Sequence, residues 1–387
     1  MLTKNIIFKN FDLRSSNSSI SKSFKLLLKE KNEVIESTKN SYKDSYSKKQ
    51  LTSFKKYSEV ILIGMGGSIL GSRSIYSFLK DKIKKKFIFN DSFEDLKIDK
   101  KNKKKRINIV ISKSGNTLET ISNSNVLIDK SVKNIFLTEN KKSYLTNLAQ
   151  KLKSEIIHHN NFIGGRYSVL SEVGMLPAQL MGLKPKKFRK FNSLIKNKKF
   201  VSSLIQNVSN TLYLVKRKKF NSIILNYDEN SSDLFFWYQQ LIAESLGKKS
   251  KGILPVISNM PKDNHSLMQL YLDGFKNNFY TFFNVKNKFS KIINKDKLIK
   301  SHNYLKNKSL IDIKQSQFDA TEKVFKNRKI PFRSFFIKKR SEESLGELFI
   351  FFILETILLG KALNVNPYDQ PAVELIKIET KKFLKKN

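Results

Sequence analysis

The sequence predicts an α/β protein of two domains, each a three-layer α/β/α sandwich around a parallel sheet. Three observations carry this. The chain has 387 residues, more than the roughly 250–300 that a single core usually holds. Short continuous apolar runs, "VILIGM" (60–65), "INIVIS" (107–112) and "NIFLTE" (134–139), alternate with helically spaced segments. Strands of that kind are buried on both faces. The alternation pauses over a basic helical stretch at about 184–219. It resumes with "SIILNY" (222–227), "GILPVI" (252–257), "FYTFFNV" (279–285) and "FRSFFI" (332–337).

Taken in order, residues 1–45 are polar, rich in Ser, Lys and Asn, with one helix expected over "SFKLLLKEKNEVI". Residues 46–183 form the first domain and 184–342 the second, and 343–387 are helices expected to close the active site. The apolar stretch "LFIFFILETILLGKAL" (348–363) is interrupted by Glu355, Gly360 and Lys361. It falls short of the about 20 apolar residues that a membrane span needs, so it predicts a buried core helix. The opening "MLTKNIIFKNFDLRSS" has no long apolar leader, which points to a cytoplasmic protein with no membrane partner.

Composition removes several chemistries. With no cysteine, disulfides and thiolate metal sites are impossible, and four histidines offer no ligand spacing, so no metal is expected. Lys and Arg number 74 against 33 Asp and Glu, a net charge of +41. The lysines are spread along the chain among many Asn and Ile residues. The densest run, "KIDKKNKKKR" (97–106), lies between strands as a solvated connection, and a nucleic-acid partner is disfavoured.

The segment "ISKSGNTLET" places Ser112, Lys113, Ser114 and Thr117 where a strand's carboxyl end meets a helix amino terminus. Free amides, hydroxyls and the helix dipole there suit a phosphate monoester, and the plain alternative is a loop capped by Thr117. "VILIGMGGSILGS" puts Gly64, Gly66 and Gly67 before Ser68. It lacks the later glycine of a dinucleotide fingerprint, and no P-loop is present, so no nucleotide cofactor is expected. "GGRYS" sets Arg166 after two glycines, able to meet an oxyanion, although alone it reads as a surface arginine. On the helix "SSDLFFWYQQLIAESLGKKSKG", Gln240 and Glu244 share a face, with Glu244 partly buried at the helix end as a candidate base. His265 precedes another helix, and Gln370 and Lys377 stand near the opening of the last one.

In this order, "GMGGSILGS", "SKSGNTLET", "GGRYSVLSEVG", "QQLIAESLGK", "HSLMQLYLDG" and "NPYDQPAVELIK" resemble the glucose-6-phosphate isomerase family from about residue 58 onward. The resemblance implies two sugar-isomerase domains and an aldose–ketose isomerisation of glucose 6-phosphate to fructose 6-phosphate without cofactor. It implies that Ser112, Lys113, Ser114 and Thr117 hold the phosphate and that Gly67 and Ser68 line the sugar. Glu244 would be the base and Arg166 would stabilise the enediolate. His265, from a neighbouring subunit, and Lys377 would serve ring opening, while Gln240 and Gln370 would hold hydroxyls. A homodimer with a shared active site follows. Three positions depart from the family's usual pattern: Ile376 for glycine, Ser72 for proline and Met260 for glycine. Two neighbouring readings are an isomerase that also accepts mannose 6-phosphate and a non-catalytic sugar-phosphate-binding protein. The second has no use for Glu244, Arg166 and His265 together.

Overall fold

Among the described residues ten strands form two five-stranded sheets. They are β1 (Ile6–Lys9), β2 (Glu59–Gly64), β3 (Lys86–Asn90), β4 (Arg106–Ile111), β5 (Lys133–Thr138), β6 (Glu155–His158), β7 (Asn221–Asn226), β8 (Leu254–Asn259), β9 (Asn278–Val285) and β10 (Phe332–Ile337). The computed structural model describes residues 1–13, 15–94, 96, 100–287 and 290–386.

The first sheet runs β3-β2-β4-β5-β6, all parallel. Every residue of β2 and β4 is buried, as expected of central strands with helices on both faces. The chain leaves β2 toward β3 on one side and comes back to β4 on the other. The crevice between β2 and β4 is therefore the switch point, where open α/β sheets bind ligands. Register pairs Gly64 with Ile111, so the loops after the two strands emerge side by side.

The second sheet repeats the winding in the order β8-β7-β9-β10, parallel throughout, with β1 added antiparallel to β10. The amino-terminal segment thus contributes a strand as well as helices. Four residues flanked by lysine and asparagine carry too little pattern to announce it, yet Phe8 packs 4.6 Å from Phe335, ring centre to ring centre. The helix expected over 23–35 is two, Ser18–Leu27 and Glu33–Ser37. Asn32 starts the second by accepting from the amides of Val34 and Ile35. β3 and β6 were not among the expected strands. Both are short edge strands with exposed positions, so neither reads as a continuous apolar run. In the lysine run, Lys100–Lys105 form a 3₁₀ segment leading into β4, while 97–99 lie outside the described residues.

The apolar stretch near the carboxyl end is the helix Glu342–Ala362, buried over nearly its whole length. Trp237 and Phe349 meet edge to face at 4.8 Å, and Tyr238 and Phe352 lie 4.5 Å apart. These contacts bind it to the helix Ser232–Leu246. A buried charge is built into the same seam. Arg333 pairs with Glu355, donates to Asn207 at 2.8 Å and reaches the Tyr238 hydroxyl at 3.1 Å. Among the described residues no helix is long and apolar enough to cross a membrane.

Candidate active site

Two loops meet at the first switch point. After β4, Ser112 is buried and its hydroxyl lies 2.9 Å from that of Thr117. Thr117 occupies the cap position of the helix Leu118–Leu127, but its side chain makes no capping bond. The first-turn amides of that helix therefore lack a side-chain acceptor, an arrangement suited to an anion. Gly115 adopts a φ of +65° with Ser143 packed against it, so a side chain there would be both strained and crowded. Lys113 lies 3.4 Å from Glu139, which Lys141 also approaches at 3.2 Å.

After β2, Gly67 backs onto the Gly165–Arg166 peptide: a Cβ there would come within 2.2 Å of the Gly165 carbonyl carbon. Glycine is thus the residue that lets the two turns touch. Ser68 follows in the 3₁₀ turn Gly66–Ser68, half-buried at the rim.

Arg166 joins the remaining parts. It is 2% exposed, not the surface arginine that "GGRYS" alone suggests. Its Nε donates to Ser245 Oγ at 2.7 Å, and its Nη2 donates to the carbonyls of Pro367 at 2.7 Å and Asp369 at 3.0 Å. Its Nη1 donates to Glu244 Oε1 at 2.9 Å and Gln370 Oε1 at 2.8 Å. Trp237 Nε1 donates to the Arg166 carbonyl at 3.1 Å. Gln240, one turn before Glu244, donates from Nε2 to Glu244 Oε2 at 2.9 Å, and its own Oε1 is buried with no partner among the described residues. Burial pushes the Tyr167 hydroxyl's pKa up, which keeps it a donor to the Pro367 carbonyl at 3.1 Å. The assembly opens on a cavity of about 680 Å³ lined by Glu244, Lys248, Lys251, Asn366, Asp369 and Gln370. A hydrogen bond from Lys248 holds Asp369 below the usual carboxylate range.

The turn bearing Arg166 is anchored from behind. His159 Nδ1 lies 2.9 Å from Glu172 Oε1, and its Nε2–H donates to the Ile163 carbonyl at 2.9 Å. Glu172 also accepts from the Asn160 amide at 2.7 Å and the Tyr42 hydroxyl at 3.0 Å. Burial alone would raise its pKa, but these bonds outweigh burial and hold it below the ordinary value.

A single chain thus brings together Gly67, Ser68, Arg166, Gln240, Glu244 and Gln370, with Ser112, Lys113, Ser114 and Thr117 on the adjoining loop. Among the described residues no hydrogen bond or ion pair joins His265 or Lys377 to them. His265 is exposed at the end of the turn Lys262–Asn264. Lys377 is 65% exposed and pairs with Glu374 at 2.5 Å on the helix Val373–Lys386, of which no residue is buried. Ile376, on the same helix, is 69% exposed. Sequence reasoning missed Ser245, Trp237 and Tyr167. The single tryptophan on the Glu244 helix was the available signal, since a buried indole N–H needs an acceptor.

Compared with known proteins, residues 12–387 match the family described as phosphoglucose isomerase. The chain is 34% identical over 346 residues to the glucose-6-phosphate isomerase of Methanocaldococcus jannaschii, covering 83% of each. It is also 34% identical over 350 residues to that of Mycoplasmopsis synoviae, covering 83% of this chain and 81% of the relative. Its fold matches a hypothetical protein from Thermus thermophilus with a TM-score of 0.82 at 22% identity, covering 95% and 94% of the two chains. A glucose-6-phosphate isomerase from Chlamydia trachomatis matches with a TM-score of 0.69 at 18% identity, covering 91% of this chain and 78% of that one.

Proposed function

Because the chain belongs to the phosphoglucose isomerase family, which interconverts glucose 6-phosphate and fructose 6-phosphate, we propose that Glu244 and Arg166 carry that reaction here. The observation behind this reading is the division of labour in Arg166. Nε and Nη2 are taken by fixed structural acceptors, which leaves Nη1 aimed at Glu244 and the cavity. A carboxylate and a fixed cation at that separation can flank the first two carbons of an open-chain hexose. Glu244 takes the proton from C2 of the aldose and returns it to C1. Arg166 stabilises the negative oxygen of the intervening cis-enediolate, an interaction that strengthens as charge develops.

The loop of Ser112, Lys113, Ser114 and Thr117 holds the phosphate, with Lys113 exchanging Glu139 for the ester. The buried, unpartnered Gln240 oxygen suits a sugar hydroxyl, Gln370 holds another, and Gly67 and Ser68 line the sugar. His265 and Lys377 serve ring opening. Since His265 stands exposed outside the cavity that Glu244 lines, a second copy of the chain supplies it, making the working unit a homodimer with a shared site. A substrate pair from central sugar metabolism supports a cytoplasmic location.

The test is Glu244→Gln, which preserves shape and keeps one oxygen to accept from Arg166 Nη1, while its new amide donates to Gln240 once that side chain turns its oxygen inward. Isomerisation falls by about 10²–10⁴-fold, the contribution of a positioned base. Fructose 6-phosphate binding, measured by calorimetry, stays within about threefold, well under the tenfold that 1.4 kcal/mol represents. Retention of more than about a tenth of the wild-type rate would remove Glu244 from the role of base.

A further inference from the structure

The two sheets share one winding, so the second has its own switch point, between β7 and β9, and no step of the isomerisation uses it. In the first sheet that place holds the loops that grip the substrate. In the second, the loop after β7 carries Asp228, and the segments after β9 and β10 carry Lys286, Asn287, Lys338, Lys339 and Arg340. With Leu79, Asp81 and Lys82 from the first domain, the last five line a cavity of about 1040 Å³.

Its charge is one-sided: among the described residues, five cations and the single carboxylate of Asp81 line it. Two of the cations are fixed. Arg340 donates from Nη2 to Asp228 Oδ1 at 2.6 Å and to Asn287 Oδ1 at 3.3 Å, and from Nη1 to the Phe78 carbonyl at 3.3 Å. Lys82 pairs with Glu342 at 2.8 Å. Lys286 and Lys339 are exposed and have no acidic partner among the described residues. Lys314, on the helix Leu310–Asn327, stands near enough to Asp228, Glu229 and Arg340 to interact with their charges. Lysines clustered in a concave site raise the local anion concentration more than the same charges scattered over a convex surface.

We propose that the second sheet carries, at the carboxyl ends of β9 and β10 beside its switch point, a binding site for a small anion bearing two or more phosphate groups. One phosphate needs one or two cations; the free pair Lys286 and Lys339, with Lys338 and the fixed Arg340 beside them, answers to more. Among the described residues the lining offers no aromatic face on which a nucleobase could stack, and the recognised chemistry is the phosphates themselves. The concave shape favours a compact ligand over a nucleic-acid backbone, which runs along a surface.

The probe is inorganic tripolyphosphate, titrated calorimetrically into the full-length protein at about 150 mM salt, where the Debye length is about 8 Å and scattered surface charge is screened. Saturating fructose 6-phosphate keeps the substrate loop filled. The expected result is one saturable site per chain. Lys286→Ala/Lys339→Ala weakens it by about tenfold or more, the equivalent of one charge-assisted contact. A control with equal charge loss, Lys22→Ala/Lys25→Ala on the helix Ser18–Leu27, changes it by less than about twofold. Equal weakening in both variants, competition by fructose 6-phosphate, absence of saturable binding, or preference for duplex DNA over tripolyphosphate would each overturn the proposal.

Discussion

Arg166 shows how one residue can be both a structural and a reactive group. Its five donors divide between carbonyl and hydroxyl acceptors that fix the guanidinium plane and two site groups, Glu244 and Gln370. A lysine keeps the charge but has no rigid fork with which to serve both sets. Arg166→Lys is therefore expected to lower kcat/KM by about 10²–10³-fold, the loss seen when one oxyanion donor is removed, with most of the loss in kcat. The melting temperature falls as well, because the Pro367 and Asp369 carbonyls lose a charged donor, at about 1.5–3 kcal/mol per bond. Steady-state kinetics of the two proteins decides: a kcat within about threefold of wild type places Arg166 outside the chemistry. Nothing local in "GGRYS" foretells this burial. Its partners, from Trp237 to Gln370, lie 71 to 204 positions further along the chain.

At the scale of elements, the turn that presents Arg166 depends on the Glu172 cluster behind it. Glu172 has its folded-state pKa held below the ordinary 4.5, so its share of stability is fully present above that value and is lost as pH falls through the depressed one. Glu172→Gln lacks this titration. Urea midpoints should then show a gap between wild type and variant at pH 7 that narrows toward pH 3. Other carboxylates titrate in both proteins and cancel in the difference. A gap independent of pH contradicts the assignment. Legibility in the sequence follows the same physical lines. Central strands such as β2 and β4 were readable because burial on both faces leaves an uninterrupted apolar run. Edge strands β3 and β6 are only partly buried, and β1 owes its existence to pairing with β10, more than 300 residues away. In the site, the glycine loop and the hydroxyl loop were legible from residue type. Ser245 and Trp237 were not, since their role exists only once Arg166 has been buried against them.

At the scale of the whole molecule, the isolated chain leaves the helix Val373–Lys386 without a single buried residue, although Leu375, Ile376, Phe383 and Leu384 are each more than 60% exposed. A helix with this much uncovered apolar surface gains stability by meeting another surface. The +41 charge works against self-association, so added salt should favour the dimer by screening that repulsion. The homodimer reading has a consequence that no self-contained site shares. If each centre uses Glu244 from one copy and His265 from the other, two inactive variants can repair each other. Pairing Glu244→Gln with His265→Ala gives one centre with both substitutions and one with neither. After dissociation and random reassociation, half of the dimers are mixed and each has one intact centre, so the mixture regains about a quarter of wild-type activity. Each variant alone stays near background at the same concentration. If Glu244 and His265 instead met within one chain, every centre in the mixed dimer would carry one lesion. Activity would then remain at the sum of the two variants however long the subunits exchange.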